Sequence, residues 1–168
     1  MATTILEPAS LREASVSRVM NLPARYIFAA HSKPEHLRRW FGPVGYPVTF
    51  CDSDFRVGGK WRMAMTGPDG VQGPYFGGTY LEITLHSRIV YDNGFEDPSG
   101  GTMNIQNAGR MVMTTTFIEV AGSTTVTVST LFASIAMKDE YLGMGMAEGT
   151  LSGLDQLQDV ARELSVLK

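Results

Sequence analysis

GMGMAEGTLSGLDQL, residues Gly143–Leu157, opens what reads as one long final helix, and its apolar spacing decides the fold class. Met144, Ala147, Leu151, Leu154 and Ala161 fall within a narrow arc at about 3.6 residues per turn, and Leu157 and Leu164 widen it. Glu148, Asp155, Asp159 and Arg162 take the other side. Gly145, Gly149 and Gly153 recur every four residues, mostly on the back or edge of that stripe. Each interior glycine weakens a helix by about 1 kcal/mol relative to alanine. The spacing therefore predicts an amphipathic helix laid on a sheet, softest at its front.

The sheet is supplied by the residues before it. Arg110–Val120 and Thr124–Phe132 are rich in Thr and Val and flank Ala121-Gly122-Ser123, which predicts a hairpin. Arg88–Phe95 and Tyr75–Leu85 read as two further strands, the second carrying Gly77-Gly78, a pair that marks a bulge or sharp bend. Gly67-Pro-Asp-Gly70 is a strong turn signal. Lys60–Met65 and Val48–Phe55 are joined through Gly58-Gly59, and Trp61, Met63 and Met65 share one face because side chains alternate. Residues 96–109 read as a long polar loop.

Nearer the amino terminus, HSKPEHLRRWFGP (His31–Pro43) predicts a short helix with Ser32 as its cap and Leu37, Trp40 and Phe41 on its apolar side. Pro23 opens another short helix through Ala30, and Arg12–Asn21 reads as a first strand. Residues 1–11 are expected to be a flexible tail, and residues 12–168 a single domain. Short helices, a run of strands and one long helix describe a curved sheet gripping a helix.

Composition narrows the function classes. A chain of 168 residues buries about 70% of its unfolded surface as one domain. The net charge is −3 and the basic residues are scattered apart from Arg38-Arg39, which disfavours a nucleic-acid binder. No apolar run of about 18 residues exists to span a membrane, and the first residues lack the pattern of a secretory signal. The single cysteine, Cys51, fits a reducing compartment, so the cytoplasm is the expected location. The 10 methionines cluster along the strands and at the front of the last helix, where flexible thioethers would either fill the core or form an adaptable pocket wall.

These segments resemble a known family. The matching stretches are PARYIF (Pro23–Phe28), KPEHLRRW (Lys33–Trp40) with Gly42-Pro43, and DFRVGGKWR (Asp54–Arg62). They continue in GTYLEI (Gly78–Ile83), TTVTV (Thr124–Val128) and GMAEG (Gly145–Gly149) with Leu154 and Leu157. In this order they are similar to the Activator of Hsp90 ATPase homologue 1-like family, part of the START/Bet v 1-like superfamily also called SRPBCC. The resemblance implies an α+β helix-grip fold: a curved antiparallel sheet around a long carboxy-terminal helix, with two short helices closing one end. It also implies a cavity, since members bind hydrophobic ligands and a few are enzymes such as polyketide cyclases.

Candidate residues follow. Trp61, Met63 and Met65 on one strand, Met111, Met113 and Phe117 on another, and Met144 on the soft helix would line one space. Trp40 and Phe41 would close it, and Tyr80 or Tyr91 would supply hydroxyls. The leading expectation is a non-catalytic protein holding an apolar or aromatic small molecule, without cofactor. A cyclase- or hydrolase-like enzyme is the alternative and would need Glu82 to converge with Tyr80 or Tyr91 inside. A third reading, an Hsp90-type co-chaperone or stress-related interaction protein, rests on the family name. A homodimer through a sheet edge or the glycine-bearing back of the last helix is compatible with the pattern. His31, His36 and His86 do not show metal-ligand spacing and read as surface or capping residues, so no metal is expected. Cys51 reads as a buried structural thiol, and Asp52, Asp54 and Arg56 as an exposed strand edge.

Overall fold

The computed structural model describes residues 7–96, 105–106 and 109–167. The polar loop expected over 96–109 lies almost wholly outside the described residues. Seven strands form one antiparallel sheet: β1 (Glu13–Met20), β2 (Val48–Ser53), β3 (Lys60–Met65), β4 (Phe76–Thr84), β5 (Arg88–Phe95), β6 (Met111–Val120) and β7 (Ser123–Leu131). Their order is β1-β7-β6-β5-β4-β3-β2, so the first two strands in the chain stand at opposite edges. Two short helices, α1 (Ala24–Ala29) and α2 (Pro34–Trp40), join those edges. The fold is the α+β helix-grip.

Alternation places the core. In β6 Met111, Met113, Thr115 and Phe117 are buried, and in β7 Thr124, Val126, Val128 and Thr130 are. The hairpin between them turns on Ala121 (φ 52°) and Gly122 (φ 81°), and two successive left-handed residues match the right-handed twist of the flanking strands. On the outer face of the β1–β7 pair, small hydroxyls pair across strands, Ser15 with Ser129 and Ser17 with Thr127. Within the stretch expected as a tail, Ala9–Leu11 makes one 3-10 turn, and the Arg12 guanidinium donates to the carbonyls of Glu7 and Phe132.

Three local expectations are corrected. Ser32 does not cap α2: Lys33 holds the cap position, Pro34 follows, and the Ser32 hydroxyl instead donates to Ala29 O at 2.7 Å, closing α1. The irregularity in β4 falls between Tyr80 and Glu82 rather than at Gly77-Gly78, whose missing side chains let the Trp61 and Asp92 backbones approach. The final helix, expected to open at Gly143, begins at Met146 as α4 (Met146–Val166), and a separate helix absent from the sequence reading, α3 (Ile135–Gly143), precedes it. Ser134 caps α3 by accepting from Met137 N at 3.0 Å. Gly145, at φ 92°, takes a left-handed conformation that a Cβ-bearing residue rarely adopts, and the helical run breaks there.

The stripe predicted for α4 is otherwise present. Leu154, Leu157 and Ala161 are buried with Val160, while Glu148, Asp155, Asp159 and Arg162 are exposed. The glycine side is not an open back. A Cβ on Gly153 would stand 3.1 Å from Trp40 O, so α4 and the end of α2 touch backbone to side, and Gln156 Nε2 donates to Gly42 O at 2.6 Å beside them.

Candidate functional site

The concave face of the sheet, α4 and the α1–α2 lid enclose an interior with two unlike halves. The half beneath the lid is full. Trp40, Phe41, Trp61, Met63, Tyr80 and Tyr91 surround a residual gap of only about 20 Å³, room for about one water. Their rings meet edge-on or tilted, with centroids 5.8 Å apart for Phe41–Trp61 and 5.4 Å for Trp61–Tyr91. Three of the polar handles here are satisfied. Trp40 Nε1 donates to Ala30 O at 3.0 Å and Trp61 Nε1 to Asp92 O at 3.1 Å, and the Tyr80 hydroxyl shares a 2.7 Å hydrogen bond with Ser53. Burial pushes the Tyr80 phenol up to about 12, and burial also raises Tyr91.

The other half is hollow. A cavity of about 280 Å³ runs between β5–β7 and the front of α4, and opens into a surface groove of about 770 Å³ beside the Gly67–Pro74 turn. Small-molecule sites start near the smaller of these sizes. Of the eleven residues singled out in the sequence, Trp40, Phe41, Met65, Tyr91, Met113 and Met144 line this inner cavity. Met111 lines only the groove. Trp61, Met63 and Tyr80 belong to the packed half. Phe117 lines none of these spaces; it is buried against Phe28 and His31. Met144 stands at the helix break, 51% exposed, at the mouth rather than on the apolar stripe.

Several lining residues were missed by the sequence reading. His31, expected at the surface or as a cap, is 7% exposed, tilted 4.6 Å from the Trp40 ring and edge-on to Phe117. Its Nδ1 sits 2.8 Å from Ile27 O, which can only accept, so Nδ1 carries the proton. Burial lowers its pKa to about 4, against a smaller upward pull from that hydrogen bond, so the ring is neutral near pH 7. Asn93 and Phe95 continue the inward series Ile89, Tyr91 along β5, a signal that alternation alone carried. Tyr141 comes from α3, which the sequence reading lacked.

The groups considered for catalysis lie elsewhere. Glu82 points outward and pairs with Arg88 at 3.1 Å, so it does not converge with Tyr80 or Tyr91. Asp54 and Arg56 lie beyond the end of β2 and form an exposed 2.7 Å ion pair. Cys51 is half-buried, and burial pushes its thiol up to about 11, away from the thiolate. Among the described residues no three His, Cys, Asp or Glu side chains converge as a metal site would require. Among the described residues no helix is long and apolar enough to cross a membrane.

This architecture has many solved counterparts. A protein of Arthrobacter aurescens is 26% identical, with a TM-score of 0.81 over 97% of this chain and 93% of its own. One from Staphylococcus epidermidis is 27% identical at a TM-score of 0.72, covering 99% of this chain and 96% of its own. A Nitrosomonas europaea protein shares the fold at 19% identity and a TM-score of 0.80, covering 94% of this chain and 99% of its own. No curated protein matches the sequence. The model of the family described as Activator of Hsp90 ATPase homolog 1-like protein matches residues 21–162, from the start of the lid almost to the end of α4. By that match, and by the sheet wrapped around α4, the chain belongs to the Activator of Hsp90 ATPase homolog 1-like family within the SRPBCC, or Bet v 1-like, fold.

Proposed function

We propose that this protein is a small-molecule binder that encloses an apolar or aromatic ligand between its sheet and the front of α4. The observation that carries the reading is the 280 Å³ cavity with a predominantly apolar lining and an open mouth. Met65, Met113 and Met146 on its wall are unbranched and polarizable, and suit a ligand of variable shape. The packed aromatic half serves as a rigid floor, and Met144 stands where a ligand would pass.

Titration with phenylnaphthylamine, a neutral dye that fluoresces in apolar surroundings, tests this. Saturable binding of one dye per chain is expected, and Gly149→Leu, which fills the cavity from α4, should abolish it while the protein stays folded. Absence of saturable binding, or binding indifferent to Gly149→Leu, would overturn the reading.

A further inference from the structure

Seven residues line both the inner cavity and the outer groove, and they form the neck between the two. Five are apolar: Pro43, Met65, Phe95, Met144 and Met146. The other two, Asn93 and Tyr141, are polar and poorly satisfied. The Asn93 side-chain amide donates to the thioether of Met113 at 3.3 Å, and sulfur is a weak acceptor. The Tyr141 residue is 6% exposed and its hydroxyl has no hydrogen-bond partner among the described residues. A buried donor left unpaired has lost its water without gaining a partner, which is costly. Elsewhere in the same interior the Thr150 hydroxyl is paired, donating to Met146 O at 2.9 Å.

The charges of the site are as informative. Among the described residues no Lys, Arg, Asp or Glu lines the inner cavity, and His31 there is neutral near pH 7. In the groove, the one charged residue among the described lining is Asp69, which is negative. An anionic head group would be taken from water into an apolar neck with no cation to meet it, a transfer that costs several kcal/mol. Two under-used donors with no positive charge fit an uncharged oxygen acceptor.

We infer that Asn93 and Tyr141 form the polar anchor of the site, and that the ligand is an uncharged aromatic molecule carrying a carbonyl or similar oxygen acceptor at its outer end. The inference rests on the binding role proposed above and deepens it. The apolar body of the ligand occupies the inner cavity, while its oxygen accepts from the Tyr141 hydroxyl and the Asn93 amide at the neck.

Three two-ring probes of nearly equal shape separate the possibilities: naphthyl methyl ketone, ethylnaphthalene and naphthoate. The wild-type protein is expected to bind the ketone and the hydrocarbon and to bind naphthoate at least tenfold more weakly than the ketone. Tyr141→Phe keeps the ring and removes only the hydroxyl. It should weaken the ketone about five- to tenfold, the effect of one lost hydrogen bond, and leave ethylnaphthalene within about twofold. Asn93→Leu should act in the same direction on the ketone alone. Equal effects on ketone and hydrocarbon, no effect on either, or naphthoate binding as tightly as the ketone would overturn the anchor while leaving the binding role standing. If none of the three binds the wild-type protein, both fall together.

Discussion

The two halves of one interior are built from different mixtures of apolar residue and end differently. Beneath the lid, tryptophan, phenylalanine and tyrosine rings interlock until about 20 Å³ remains, and three of their polar atoms are paired. Toward the α3–α4 break, methionines and glycines face a space of about 280 Å³, with one buried hydroxyl unpaired. Rings have defined shapes and bury large areas, so they fill a volume completely. Methionine next to glycine leaves a volume that other molecules can fill. The comparison implies that stability is concentrated at one end of the core and adaptability at the other.

The most severe test of that division removes a ring from the packed half. Trp61→Ala should destabilise the fold by about 3–5 kcal/mol, since it deletes contacts with Phe41, Phe76 and Tyr91 and a hydrogen bond to Asp92 O. Urea unfolding measures this, and a loss below about 1 kcal/mol would show that the lid half is not the stable one.

His31, on the border of the two halves, comes next. Its folded pKa is depressed to about 4 from an unfolded value of about 6.5, so the unfolded chain binds the extra proton first. The neutral ring's stability is fully present above about pH 6.5 and is lost as pH falls toward 4, by on the order of 3 kcal/mol. His31→Gln should flatten the stability profile across that window; an unchanged slope would mean His31 is not the group responsible.

The smallest effects fall on one helix, a turn apart, and have opposite signs. Gly153→Ala pushes a methyl group to 3.1 Å from Trp40 O and should destabilise by about 1 kcal/mol despite better helix propensity. At Gly149 the nearest atom to an added Cβ is Pro43 Cγ at 3.8 Å, an ordinary contact. Gly149→Ala should therefore stabilise by up to about 1 kcal/mol, and weaken phenylnaphthylamine binding because its methyl group enters the cavity. Thermal unfolding of the two variants side by side, with the same sign for both, would erase the distinction drawn between the tightly backed and the open glycine of α4.

These contrasts also mark what the chain made legible. Strands β6 and β7 were readable from alternation and β-branched residues, and the lid from Pro34, Trp40 and Gly42-Pro43. The break at Gly145 was not, because three glycines spaced by four also fit a continuous helix, and only the left-handed backbone at one of them distinguishes the cases. Missing α3 meant missing Tyr141. The division into full and hollow halves was equally out of reach: Trp61 and Met65 share a strand face, yet one lines the packed half and the other the cavity. Periodicity says which side of a strand faces inward, and is silent on whether anything fills the space it faces.

The sheet order carries a consequence for how the chain reaches this state. β1 pairs with β7, Glu13 lying opposite Leu131, and among the described residues β2 pairs only with β3. During synthesis β1 must wait with an unpaired edge until nearly all the intervening chain exists, while β2 through β6 can zip in order as each emerges. Pairing across so long a loop is slow, because closure entropy is lost before any contact compensates for it. Docking of β1 is thus expected among the late steps of folding, and until then its backbone edge has no strand to pair with.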